Sequence, residues 1–417
     1  MRYNPAALAM LSVTEARERI LSRFQATAEE SIPLIECANR VLAVDIAAAH
    51  DLPLFDNSSM DGFALRSVDS RSAAAASPLT LSVVADIPAG SAPRVTLAQG
   101  EAARIMTGAQ IPEGADAVIP VEDTDFHSRD AGTAAPQAIS FTRKVNVGEN
   151  IRLRGADLRA GDVVLQKGRK LKPQDLGLLA MLGIANVAVH KKPRIALLSS
   201  GDELLEVDAP LTAGKIHDSN SYSLAALIQN TGADVLRLGV AKDTRESVES
   251  LLQKAIHENV DLIVASAGVS VGAFDFVKDV IESNGRLDFW RVNMRPGKPL
   301  AFGEYRDMPF IGLPGNPVSA FVGFEIFVHP VLEKLSGQLD GNRLTVKVRC
   351  EEVIESDGRE SYLRAKIRNE NGITIATLTG HQGSGNLLSL VQADALLIIP
   401  AGVKCLPVGQ EVDAILL

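Results

Sequence analysis

The chain has 417 residues, too many for one ordinary hydrophobic core, so several domains are expected. Hydrophobic residues make up 46% and charged residues 22%, which excludes a disordered or fibrous chain. The net charge of −9 argues against a nucleic-acid binder and against an anionic membrane surface, both of which need basic protein.

In chain order, Val13 to Ala38 reads as helical, with Ser12 or Thr14 as cap and Ala16, Ile20 and Phe24 at four-residue spacing. The stretch Asp56-Asn57-Ser58-Ser59-Met60-Asp61-Gly62 is dominated by turn formers and reads as a loop. Leu79–Val84, Ala102–Met106 and Ala117–Val121 are strand candidates between turns such as Pro88-Ala89-Gly90 and Pro112-Glu113-Gly114, so a small β module is expected here. A helix is expected over Pro173 to Gly183.

Residues 191–337 change rhythm. The apolar strand Arg194–Leu198, a helix carrying Leu224, Leu227 and Ile228, strand Val235–Val240, helix Arg245–Asn259 and strand Leu262–Ala265 alternate in the manner of βαβ units. They predict a parallel sheet covered on both faces, with ligands bound beyond the carboxyl ends of its strands. Beyond it, Leu344, Val346, Val348 and Cys350 alternate with polar residues and Ile373, Ile375 and Thr377 repeat the period of two, which predicts half-buried antiparallel sheet.

The three cysteines are far apart and form no CxxC, which points to a reducing compartment rather than disulfides or a thiolate zinc site. Neither a signal-peptide layout nor an apolar run of the ~18–20 residues a membrane span needs is apparent, so a cytoplasmic protein with no membrane partner is expected.

Three strand-end motifs could carry chemistry. In Ser266-Ala267-Gly268-Val269-Ser270-Val271-Gly272, small residues let backbone N–H groups approach an anion. This is neither a dinucleotide GxGxxG nor a P-loop, and Asp275 just beyond it reads equally well as a helix cap. Arg291-Val292-Asn293-Met294-Arg295-Pro296-Gly297-Lys298-Pro299 puts three cations on a proline-stiffened loop of an acidic chain, which suits a tetrahedral oxyanion or phosphate. Gly312-Leu313-Pro314-Gly315-Asn316-Pro317 leads into a helix over Val318–Leu335, whose N-terminus could meet an anion or could simply start with proline. Asp61, Asp157, Glu203 and Asp243 lie in irregular or strand-end settings that suit Mg²⁺, though each is also a common turn residue. Thr107 ends a strand and could donate to a phosphate.

Taken together, these segments resemble the molybdopterin molybdenumtransferase family, the MoeA type that includes the E domain of gephyrin. The resemblance is carried in order by Asn57–Ala64, Arg104–Ala109, Arg152–Asp157, Ser199–Leu204, Gly268–Gly272, Arg295–Pro299 and Leu313–Pro317, and it spans essentially the whole chain. It implies a multi-domain α/β plus β architecture. Residues 1–50 and 145–190 would form a discontinuous N-terminal domain, 51–144 an inserted β module, 191–337 a central parallel α/β molybdopterin-binding domain and 338–417 a C-terminal β domain. It further implies an elongated homodimer whose clefts combine one subunit's α/β domain with the other's β insert. A molybdopterin adenylyltransferase and molybdoenzyme maturation factors would be its partners.

The implied reaction inserts molybdenum from molybdate into adenylylated molybdopterin and releases AMP, with Mg²⁺ required. By the resemblance, Asp243 and Asp275 would hold Mg²⁺, and Asp61, Thr107, Asp157 and Glu203 would line the cleft. Arg291 belongs to the basic cluster that would receive the anionic substrate, in which Arg295, Lys298 and Arg364 would hold molybdate. Gly268, Ser270, Gly272, Pro314, Gly315 and Asn316 would cradle the phosphate end of the pterin, and Ser384 matches a family serine. Two departures stand out: the family commonly has lysine where this chain has Arg291 and Arg295, so a planar fork replaces a point charge and could shift the preference between molybdate and tungstate. A non-catalytic scaffold on the same fold would have no need of the acid set. An adenylyltransferase acting one step earlier would not need the β modules.

Overall fold

The protein is described here by a computed structural model covering residues 10–127, 132–266, 276–339 and 343–417. The chain divides into two compact units, one of residues 1–44, 167–177 and 184–417, the other of 45–166 and 178–183.

The first unit holds a six-stranded sheet in the order 234–241, 194–200, 262–266, 308–313, 299–305, 285–291. The first four strands are parallel, as the βαβ rhythm predicts. The fifth is not: Pro299–Tyr305 runs antiparallel to both its neighbours, so the sheet is mixed. The correction has a simple cause. Only a short turn separates Tyr305 from Met308, too short for a crossover helix, and such a turn can only join antiparallel strands.

Period-two alternation sorts the strand residues between two cores. Ile195, Leu197, Leu262, Val264, Ile311 and Leu313 pack beneath the helix Asn220–Thr231 and the helical run 317–335. Ala196, Leu198, Ile263, Ala265 and Phe310 pack on the opposite face beneath Arg245–His257 and Phe276–Asn284. The run 317–335 is continuous but changes pitch, with a π-helical turn over Phe324–Val328.

The N-terminal helix is shorter than the sequence suggests, spanning only Val13–Leu21. Ser12 and Glu15 form a capping box, with the Glu15 N–H donating to Ser12 Oγ at 3.2 Å and the Ser12 N–H to Glu15 Oε2 at 2.9 Å. Its apolar face, Val13, Ala16 and Ile20, joins the first core together with Phe24. The later residues instead form the strand Glu29–Pro33, paired antiparallel with Asn186–His190. Thr27 donates from its backbone to Leu335 O at 2.8 Å, and Pro33 would break a helix, so tertiary hydrogen bonds override the helical spacing.

The C-terminal strands 360–370, 373–378, 345–350, 411–416 and 395–399 pair in that order, and the last pairs back to the first, closing a five-stranded barrel around Val348, Leu363, Ala376, Leu397 and Ala414. One pairing departs from the antiparallel expectation: 345–350 and 373–378 are parallel. A two-residue strand, Met294–Arg295, adds alongside Glu360–Ser361 in parallel.

The second unit is built on a five-stranded sheet in the order 117–120, 62–65, 101–105, 79–87, 138–141. Phe63 and Leu65 face one small core and Ala64 another. Gly62 sits where strands crowd: a Cβ there would lie 2.0 Å from Ile119 O. Gly62→Ala is therefore expected to destabilise the protein by roughly 1–3 kcal/mol. A urea unfolding midpoint equal to wild type would refute this.

Among the described residues, no helix is long and apolar enough to cross a membrane.

Candidate functional site

In the first unit, the carboxyl ends of strands Arg194–Ser200 and Leu262–Ser266 open into a cleft of about 830 Å³. This is the position where open α/β sheets bind ligands.

One wall is acidic. Gly201 ends its strand with φ +146°, and a Cβ there would lie 2.5 Å from Glu203 Oε2, so glycine is what lets the Glu203 carboxylate fold back against the strand end. Asp202 and Asp243 make a reciprocal pair: each backbone N–H donates to the other's carboxylate at 3.2 Å. Glu203 and Asp243 both line the cleft, and neither forms an ion pair among the described residues. No cluster of three or more histidine, cysteine or acidic side chains suited to a metal occurs among the described residues. These carboxylates do fit Mg²⁺, which takes one or two carboxylates and completes its shell with water and substrate phosphates.

Another wall is basic. The hairpin of Gly285–Arg291 and Pro299–Tyr305 carries the loop 292–298 at its tip. The loop is fixed by backbone bonds, Val292 N–H to Lys298 O at 3.0 Å and Asn293 N–H to Leu11 O at 2.8 Å. Arg295 and Lys298 line the cleft and form no ion pair among the described residues. Arg291 is exposed at the strand end, paired with Pro299, and does not line the cleft.

Arg364 lies behind this wall. It is 0% exposed and no acid pairs with it among the described residues. Its Nε donates to Ser389 Oγ at 3.1 Å and its Nη2 to Gly383 O at 3.0 Å, while its Nη1 is buried with no partner. Burial, and then the nearby Arg295 charge, push its pKa down to about 10.

The turn Pro314-Gly315-Asn316 closes a third side. Asn316 Nδ2 donates to Ser384 Oγ at 3.0 Å, and the Val318 N–H donates to Ser384 O at 3.1 Å, so the C-terminal segment is stitched to the helix start. Asn220 Nδ2 donates at 2.7 Å both to Gly315 O and to Ser266 Oγ, tying two strand-end loops together.

The cleft thus gathers Glu203, Asp243, Arg295, Lys298, Pro314, Gly315, Asn316 and Ser384. Gly268, Ser270, Gly272 and Asp275 lie outside the described residues. In the second unit, Asp61 and Thr107 meet: Asp61 Oδ1 accepts from the Thr107 N–H at 2.7 Å and from its Oγ1 at 2.8 Å. Asp157 pairs with Arg152, whose guanidinium holds its carboxyl below the usual range. Sequence reasoning missed Asn220, Gln382 and Arg359, which also line the cleft. Asn220 opens a helix and could have been noticed as a cap. Nothing local marks Arg359, whose Nη1 donates to Met294 O, 65 residues away, at 3.0 Å.

Comparisons with known proteins cover the same ground. Residues 11–183 match the MoeA N-terminal region (domain I and II), 196–334 a probable molybdopterin-binding domain, and 347–417 the MoeA C-terminal region (domain IV). The chain is 38% identical over 394 residues to a molybdopterin molybdenumtransferase of Haemophilus influenzae, covering 94% of each. It is 37% identical over 390 residues to one of Nostoc sp., covering 92% of this chain and 87% of that one. A crystal structure of the molybdopterin biosynthesis MoeA protein from Pyrococcus horikoshii superposes with a TM-score of 0.81 at 32% identity, covering 98% of this chain and all of the other.

Proposed function

Since the chain belongs to the MoeA family of molybdopterin molybdenumtransferases, and is a transferase of molybdenum cofactor biosynthesis, we propose that its cleft binds molybdate and adenylylated molybdopterin and releases AMP as molybdenum enters the dithiolene. The observation that carries this reading is one cleft holding both cations and carboxylates that form no ion pair among the described residues. Arg295 and Lys298 receive the tetrahedral dianion, Arg295 through a planar fork and Lys298 as a point charge. Asn220 keeps the Ser266 and Gly315 strand ends at a fixed spacing, so the backbone that would meet the phosphate end of the pterin does not spread. Asp243 would hold Mg²⁺, with Asp275 as a second ligand by the family resemblance alone and Glu203 on the same wall as Asp243. When bound, Mg²⁺ polarises phosphate oxygens and offsets the charge that builds as the phosphoanhydride breaks. A cytoplasmic homodimer is part of the same proposal.

The test is direct. Purified protein given adenylylated molybdopterin, molybdate and Mg²⁺ is expected to release AMP and yield a product that activates a cofactor-free molybdoenzyme. AMP no higher than in a protein-free control would end the proposal.

A further inference from the structure

Arg359 lines the cleft, and each of its guanidinium nitrogens is bonded within the protein. Nε and Nη2 donate to Asp357 Oδ2 at 3.0 and 2.5 Å, and Nη1 donates to Met294 O at 3.0 Å. Each guanidinium nitrogen therefore has an acceptor within the protein, and the three bonds hold the planar group in one orientation. Asp357 also accepts from the Arg359 backbone N–H at 3.1 Å.

The turn that presents this pair is itself braced. Gly358 takes φ +87°, its N–H reaches Ser356 Oγ at 3.4 Å, and its carbonyl accepts from Gly402 N–H at 2.8 Å. The buried Ser361 donates from Oγ to Arg359 O at 2.9 Å. What the clamp grips is the fully buried Met294, the residue before Arg295. The parallel pairing of Met294 with Glu360 and of Arg295 with Ser361 adds a second attachment at the same point.

A half-exposed ion pair two residues apart would by itself contribute little. This one differs because its third nitrogen fixes a carbonyl on another element. It also answers an electrostatic problem. The Arg295 charge, after burial, lowers the tolerance of Arg364 for its own charge, and no acid pairs directly with either among the described residues. Asp357 is the acid whose carboxyl is held down partly by the Arg295 charge, after the Arg359 hydrogen bonds.

We propose that Arg359, held by Asp357, is a positioning residue for the oxyanion loop: it fixes the Met294 carbonyl and so sets where the Arg295 guanidinium stands in the cleft. The inference rests on the reading that Arg295 and Lys298 receive molybdate. It makes the C-terminal barrel part of the specificity apparatus, since Asp357 and Arg359 belong to it while Arg295 belongs to the α/β sheet's hairpin.

The experiment measures steady-state AMP release and direct molybdate titration by calorimetry on full-length wild type, Arg359→Gln, Arg359→Lys, Asp357→Asn and Arg295→Ala. Arg359→Gln is expected to raise the KM and Kd for molybdate roughly tenfold, with kcat at saturating molybdate and KM for adenylylated molybdopterin within about twofold of wild type. Arg359→Lys, which keeps one donor for Met294 O, should recover part of that loss, and Asp357→Asn should fall between. An unchanged molybdate KM in Arg359→Gln, with Arg295→Ala impaired, would overturn the positioning role and leave the oxyanion site standing. Parallel losses in kcat, both KM values and thermal stability would show a merely structural residue and also overturn it. Wild type that fails to titrate with molybdate would remove the oxyanion reading itself, and this inference with it.

Discussion

Arg364→Met should abolish molybdate-dependent turnover while leaving the protein about as resistant to heat as wild type. The two halves of this result have different causes. Arg364 is a fully buried cation with no acid paired to it among the described residues, and burial pushes its pKa down to about 10. A folded-state pKa below the unfolded one means the charge works against the fold at neutral pH, a penalty relieved only as pH rises through about 10. Removing the charge removes that penalty. Against this, Ser389 Oγ and Gly383 O lose a donor, at a cost of about 1–3 kcal/mol each if nothing replaces it. A long, unbranched methionine fills the volume and avoids a cavity. The opposing effects are of similar size, so the melting temperature should move by only a few degrees. Function is a different matter, because the Arg364 charge lies buried close to Arg295 with no acid pairing it among the described residues, so its field would add to the attraction of an incoming dianion. Thermal melts with and without molybdate separate the two. Wild type should gain stability with ligand, about 2.7 kcal/mol at a hundredfold excess over Kd, and the variant should gain none. A variant that still responds to molybdate would remove Arg364 from the site, and one that unfolds early would make it a structural residue.

Asp243→Asn should cut AMP release by about 10²-fold or more at saturating Mg²⁺ without weakening molybdate binding. Asparagine keeps an oxygen to accept the Asp202 N–H, so the reciprocal pair at the cleft wall should survive. What disappears is the negative charge that would hold Mg²⁺, and asparagine oxygen is a poor substitute for a carboxylate toward a hard divalent cation. The magnitude follows from losing electrostatic support where phosphoanhydride charge builds. If Asp243→Asn turns over at the wild-type rate, or if raised Mg²⁺ leaves a large deficit while molybdate binding also collapses, Asp243 is not the metal residue.

The α/β layer was legible in the sequence because its strands are nearly uninterrupted apolar runs and its helices have one apolar face, and both periods survive burial. The basic loop was legible because three cations stood out in an acidic chain. Other features rest on contacts between distant residues. The segment after Leu21 keeps a helical spacing through Phe24, yet it leaves the helix because Thr27 bonds to Leu335 and Glu29–Pro33 finds a partner in Asn186–His190. The direction of Pro299–Tyr305 is set by a short turn rather than by its own residues. Arg359 could not be found by local pattern, because its meaning lies in a bond to a carbonyl 65 residues earlier. Arg364 was named only through the family resemblance, and its burial depends on a barrel closed by the pairing of 360–370 with 395–399.

The N-terminal helix has a consequence for the order of events at the ribosome. Val13, Ala16, Ile20 and Phe24 complete a core whose other members include Ile195, Val264, Phe327 and Leu332. Those partners emerge roughly 170 to 320 residues later, on the order of tens of seconds at ordinary synthesis rates. Until then the amphipathic helix has nothing to cover it, and a lone helix of 9 residues is not stable in water. The residues of the second unit, 45–166 and 178–183, are by contrast nearly contiguous and are complete long before the chain ends. The nascent protein should therefore fold from its middle outward, with its first segment the last to settle and the one most exposed to capture by chaperones.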